Sequence, residues 1–167
     1  RATVDRGAMA RLIDAGIGLL YPFAAEDRTK SLTSRRITAL YGPLYDIANI
    51  DPATFDAVPK MFGKANIQAF LHLARIRAGH VVSAEGANDY LPHASRFRIP
   101  TLFIHGEHNR CFRPAGTAKT RDMLAAVNGP HLYQRAVIAD TGHIDCIFGA
   151  QAARDVYPLA VRHLLAS

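Results

Sequence analysis

His143, in the run Asp140-Thr141-Gly142-His143, is the residue of this sequence best suited to moving a proton near neutrality. A neutral imidazole takes a proton from a nucleophile and returns it to a leaving group, which is the work of a general base. The turn follows an apolar stretch, Leu132 to Ala139, that reads as a strand. A second loop, Gly106-Glu107-His108-Asn109-Arg110-Cys111, follows another apolar run, Ile99 to His105. Loops beyond the carboxyl ends of parallel strands are where open α/β sheets carry their functional groups. Adjacent strands would set these two loops side by side.

The remaining reactive side chains say less. No Gly-x-Ser-x-Gly occurs, and Ser31, Ser34, Ser83, Ser95 and Ser167 lack the strand-to-helix turn that exposes a nucleophile. Cys111 and Cys146 fall on the two neighbouring loops, so the expectation is that they approach each other, bridged or as buried thiols. A Cys/His/Asn set would need an activated thiolate, and nothing in the sequence marks one. His105-x-x-His108 lacks a third ligand at clear spacing, so one packed and one exposed histidine is expected and no metal. No Gly-x-Gly-x-x-Gly is present, so no dinucleotide cofactor is expected in this chain.

The elements that must position these loops divide the chain in two. Residues 1–98 have helical periodicity and no convincing strand. One stripe holds Met9, Leu12, Ile13, Gly16 and Leu20, ended by Pro22. Ser31 can cap a second helix that stops near Gly42-Pro43. Asp51-Pro52 opens a third, with a break expected at Pro59. Ile67, Phe70, Leu71 and Ala74 lie on one face of a fourth. Residues 99–167 read as β-α-β-α. A helix from about Ala115 to Val127 separates the strands, and Asn128-Gly129-Pro130 stops it. A last helix carries Val156, Leu159, Ala160 and Leu164, with Pro158 kinking it or starting its second half.

One crossover helix between two strands makes them parallel. Two such strands alone would leave both edges exposed, so further strands N-terminal to Arg1 are expected. The expected fold class is therefore α/β.

The two turns resemble the end of an α/β-hydrolase. Ile99-Pro100 through Glu107 is similar to that family's penultimate strand, and Asp140 to His143 to the turn after its last strand. A longer similarity runs from about residue 30 to the end, through Tyr41-Gly42-Pro43-Leu44-Tyr45, Met61-Phe62-Gly63, Gly142 to Gly149 and Asp155 to Pro158. It resembles the hydrolase-type domain fused to glucose–methanol–choline flavin oxidoreductases of the cholesterol-oxidase kind.

The resemblance implies the C-terminal part of an α/β-hydrolase fold. Residues 1–98 would be a helical cap and 99–167 the last β-α-β-α of the core, its earlier strands belonging to the missing N-terminal part of the same polypeptide. It implies that His143 is the general base and that Asn109 stands at the acid position, where the family has Asp. Glu107, Asp145 or an acid from an earlier strand could substitute. The parent would cleave an apolar, lipid-like or sterol-like carboxylic ester, and this chain alone, lacking the nucleophile, would be inactive. The alternative is a non-catalytic hydrolase-like domain behind a flavin oxidoreductase, with FAD in the fused upstream domain. Tyr41, Tyr45, Met61, Phe62, Phe70 and Leu71 are candidates for the pocket, although most suit ordinary helix packing.

Composition excludes other classes. With 49% hydrophobic and 20% charged residues the chain is globular. The net charge of +6 is spread out, and its densest group, Arg28, Lys30, Arg35 and Arg36, suits a solvated helix face better than nucleic acid. No apolar run reaches the roughly 20 residues of a membrane span. No leader pattern is visible, so a cytoplasmic location is expected.

Overall fold

The computed structural model describes residues 8–21, 32–61, 67–76, 82–83, 85–88 and 90–166. The fold mixes helix and strand, is mostly helical, and holds one two-stranded parallel sheet. Four helices come first: α1 (Ala8–Leu20), α2 (Leu32–Tyr41), α3 (Pro52–Met61) and α4 (Ile67–Ile76). Then follow β1 (Thr101–Gly106), α5 (Pro114–Asn128), β2 (Tyr133–Ile138), two single turns, α6 (Asp145–Phe148) and α7 (Ala152–Asp155), and α8 (Tyr157–Ala166). Among the described residues no strand precedes β1, and no helix is long and apolar enough to cross a membrane.

The local rules account for most boundaries. Gly42, at φ 82°, adopts the left-handed conformation that ends α2. Pro114 sits at the start of α5, where its missing N–H costs nothing, and Gly129 at φ 97° ends it. Pro158 lies in the first turn of α8 and so begins that helix. One expectation differs from the structure. α3 runs on through position 59 to Met61, without the break assigned to Pro59. On the stripe of α1, Leu12 and Leu20 are 69% and 77% exposed. Leu164 of α8 is exposed as well. Ser31, Arg28, Lys30 and Phe62 lie outside the described residues. Arg36 forks onto Asp14 at 2.7 and 2.8 Å, which fastens α2 to α1.

β1 and β2 pair from Thr101↔Tyr133 to Gly106↔Ile138. Strand side chains alternate between faces. Thr101, Phe103 and His105 with Tyr133, Arg135 and Val137 share one face, and Arg135 reaches Thr117 and the Pro114 carbonyl of α5 there. Ile104, Ala136 and Ile138 share the other, against Ala152, Val156 and Leu159. Helices thus cover both faces, as a parallel sheet requires.

The outer edge of β1 is different. The Glu107 N–H donates to the Ile138 carbonyl, so by the two-residue repeat the N–H groups of Phe103 and His105 also point to β2. Those of Leu102 and Ile104 point away from it, and no strand among the described residues pairs with them.

A second apolar cluster joins the helical part to the strand-end loops. Ile37, Leu44 and the fully buried Val58 pack against Tyr41, Tyr45, Cys111 and Ile144. The Leu44 carbonyl accepts N–H groups from both His143 (3.0 Å) and Ile144 (2.9 Å). The segment after α2 therefore lies directly on the histidine turn.

Candidate functional site

The two loops meet because glycine allows it. A Cβ on Gly106 would lie 2.0 Å from the Gly142 oxygen and 2.3 Å from the Thr141 oxygen, both backbone. Only a residue without a side chain lets the end of β1 come so close to the 141–142 turn. The approach is fixed by two backbone hydrogen bonds, Glu107 N–H to Ile138 (2.8 Å) and His108 N–H to Thr141 (2.9 Å).

His143 and Asn109 come together there, with Asn109 Nδ2 3.0 Å from His143 Nδ1. Asn109 is buried, and its Oδ1 accepts the N–H groups of Cys111 (3.0 Å) and Phe112 (2.9 Å). The Phe112 ring is tilted against the imidazole at 5.1 Å between centroids. Burial lowers the His143 pKa below its usual 6.5, His105 nearby lowers it too, and Asp145 opposes them. The ring is therefore held toward its neutral form.

Neither of the other two acid candidates hydrogen-bonds His143 among the described residues. Asp145 is 2% exposed and accepts the N–H groups of Gly142 (2.9 Å) and Asp46 (3.2 and 3.1 Å) and the Asn49 amide (3.3 Å). It staples the segment after α2 to the histidine turn. Glu107 is exposed and accepts the Asp140 N–H at 3.3 Å. Asp140 itself stands at φ 51°, a conformation that non-glycine residues seldom take.

The histidine pair separates as one packed and one exposed ring. His105 is buried, with Nε2 on the Phe112 carbonyl at 2.8 Å and Nδ1 3.4 Å from the Thr117 hydroxyl. His108 is exposed, with its ring 3.9 Å from Asp140. Its nitrogen and the carboxylates of Glu107 and Asp140 lie within 4.8 Å of one another, all open to solvent.

The cysteines are unbridged and pack in different clusters. The Cys111 thiol donates to the Tyr41 carbonyl at 2.8 Å in the cluster around Val58. Cys146 packs on the other cluster, against Ile138 and Val156. Both are free and half-buried, and burial pushes both thiols up, which disfavours a thiolate nucleophile.

A cavity of about 780 Å³ opens beside His143. It runs past the outer edge of β1, between Thr117 of α5 and Val156 and Tyr157, where α7 gives way to α8, and its wall includes Ile104, Phe112 and Ile147. Among the described residues of the first four helices, Ile76 of α4 reaches it. Tyr41 and Tyr45 pack in the cluster around Val58, and Met61 and Leu71 are exposed. Sequence reasoning named Gly106 only as a strand end, not for its close approach to the 141–142 turn, and it missed Phe112 and the Asp46 and Asn49 that hold Asp145. A glycine at a strand end was a usable signal for the first. The other three act across distances in the chain that no local pattern spans.

No known protein family, curated protein or solved structure matches this chain.

Proposed function

We propose that this chain is the helical cap and last two strands of an α/β-hydrolase-type domain that binds an apolar small molecule, ester-like or sterol-like, and does not hydrolyse it. One observation carries this: Asn109 is the hydrogen-bond partner of His143, at the rim of an apolar cavity beyond two parallel strands. A cavity of this size and lining suits a ligand with few polar groups. An amide orients an imidazole but supplies no negative charge for an imidazolium. Exchange of a triad carboxylate for its amide lowers turnover about 10⁴-fold. Helices on both faces of the sheet and an open β1 edge support further parallel strands beside β1, contributed by another part of the polypeptide.

In a domain of this kind fused to a flavin oxidoreductase, the flavin would belong elsewhere. The turn from β1 to α5, residues 107–113, holds no glycine, and α5 opens on a proline, so it does not suit a dinucleotide phosphate. The second reading is a working serine esterase with His143 as base, favoured by the placement of His143 beyond the second strand.

A serine-directed phosphonate probe on the protein that carries this chain distinguishes the two. Absence of covalent labelling, with displacement of a fluorescent apolar probe by sterol esters, is expected. Stoichiometric labelling of a serine would establish the esterase.

A further inference from the structure

The Asn109 side chain has two chemically different ends, and its surroundings fix which faces where. Cys111 and Phe112 present backbone N–H groups at 3.0 and 2.9 Å, and an N–H can only donate. The amide oxygen must stand there. The NH₂ therefore faces His143, with Nδ2 3.0 Å from Nδ1.

An amide NH₂ has no lone pair to offer, so Nδ1 must be the acceptor. The neutral ring then carries its proton on Nε2. Protonation of Nδ1 would set two donors against each other, and burial opposes it further. A general base toward a hydroxyl needs the reverse arrangement, with Nδ1–H held by the acid and a bare Nε2 toward the nucleophile. Among the described residues Nε2 has no hydrogen-bond partner, and His143 lines the cavity.

We propose that Asn109 is a positioning residue that fixes His143 as an Nε2–H donor, and that the site therefore takes the carbonyl oxygen of an apolar ketone or ester. This rests on the cavity being the ligand site proposed above. The neighbours of the ring are consistent with a neutral ligand group: Phe112 on one side, and His105, whose Nε2 is spent on the Phe112 carbonyl. A donor without a nearby free base binds a carbonyl without attacking it.

The test is ¹⁵N NMR of the His143 ring in the protein that carries this chain. Wild type is expected to have its proton on Nε2 at neutral pH. Asn109→Asp, whose carboxylate can accept from Nδ1, is expected to move the proton to Nδ1 and raise the His143 pKa. A merely structural asparagine would leave the tautomer unchanged. A proton on Nδ1 in wild type, or an unmoved tautomer in Asn109→Asp, overturns the positioning role. Should Asn109→Asp fail to fold, Asn109→Ala takes its place: loss of the NH₂ donor is expected to raise the Nδ1–H fraction above wild type, and an unchanged fraction overturns the role. In the ligand arm, 2-decanone is expected to shift the Nε2–H resonance. Decane is expected to perturb Ile104 and Phe112 without shifting it. Equal effects of both on Nε2–H overturn the carbonyl assignment. Silence of Ile104 and Phe112 toward both overturns the ligand site itself, a result that the tautomer readout does not share.

Discussion

Gly106→Ala is the perturbation that the geometry defines most sharply. The new methyl would stand 2.0 Å from one backbone oxygen and 2.3 Å from another, where real Cβ contacts essentially never fall below 3.0 Å. Backbone cannot rotate aside as a side chain can, so β1 and the 141–142 turn must part by about 1 Å, the shortfall from 3.0 Å. Overpacking of this kind costs about 1–3 kcal/mol, and loosening the two inter-loop hydrogen bonds adds about 1 kcal/mol. A total of about 2–4 kcal/mol is a large share of a domain's stability. With a slope of about 2 kcal/mol per molar, the urea midpoint should fall by about 1–2 M. Gly116→Ala is the control. Nothing lies within 4 Å of its added Cβ, it sits in α5, and it should be neutral or stabilising by up to about 1 kcal/mol. A Gly106→Ala midpoint no lower than that of Gly116→Ala would refute the close approach.

Asp145→Ala leaves two backbone N–H groups and the Asn49 amide without their acceptor, so a loss of about 3 kcal/mol or more is expected in urea unfolding. Asp145→Asn, which keeps one oxygen, should lose about half as much, and equal small losses below about 1 kcal/mol would contradict the staple. The folded pKa of His143 lies below its unfolded 6.5, so the folded state binds fewer protons and stability falls as pH drops from 6.5 through the folded value. His143→Gln should flatten that slope, and parallel curves would discard it. Thiol titration without reductant should count both cysteines as free, with slow alkylation at neutral pH because burial raises both; fast modification would contradict their environment.

The β-α-β unit was legible because its signals are local. An apolar run ending at Gly106 and Asn128-Gly129-Pro130 at a helix end each act within a few residues. That the two turns meet followed from topology, since both lie beyond neighbouring parallel strands, whereas the pairing of Asn109 with His143 followed from the resemblance. The part played by Asp145 was not legible. Its partners Asp46 and Asn49 stand more than 90 residues away, and a buried carboxylate on backbone N–H groups leaves no periodic trace. The wall of the cavity was not legible for a related reason, although ordinary helix packing was the favoured reading for most of its candidates. Tyr41 and Tyr45 have the composition of a pocket lining, but only tertiary packing decides that they join Ile37 and Val58 instead. The direction of the Asn109 amide depends on two backbone N–H groups two and three residues on, a local turn that its sequence context alone does not single out.

Hydrogen exchange at the β1 amides bears most directly on the claim that this sheet continues beyond its two strands. In the protein that carries this chain, the N–H groups of Leu102 and Ile104, which point away from β2, should be protected as strongly as those of Phe103 and His105. Fast exchange at Leu102 and Ile104 alone would mean that no strand lies beside β1, and the hydrolase-type core would have to be abandoned.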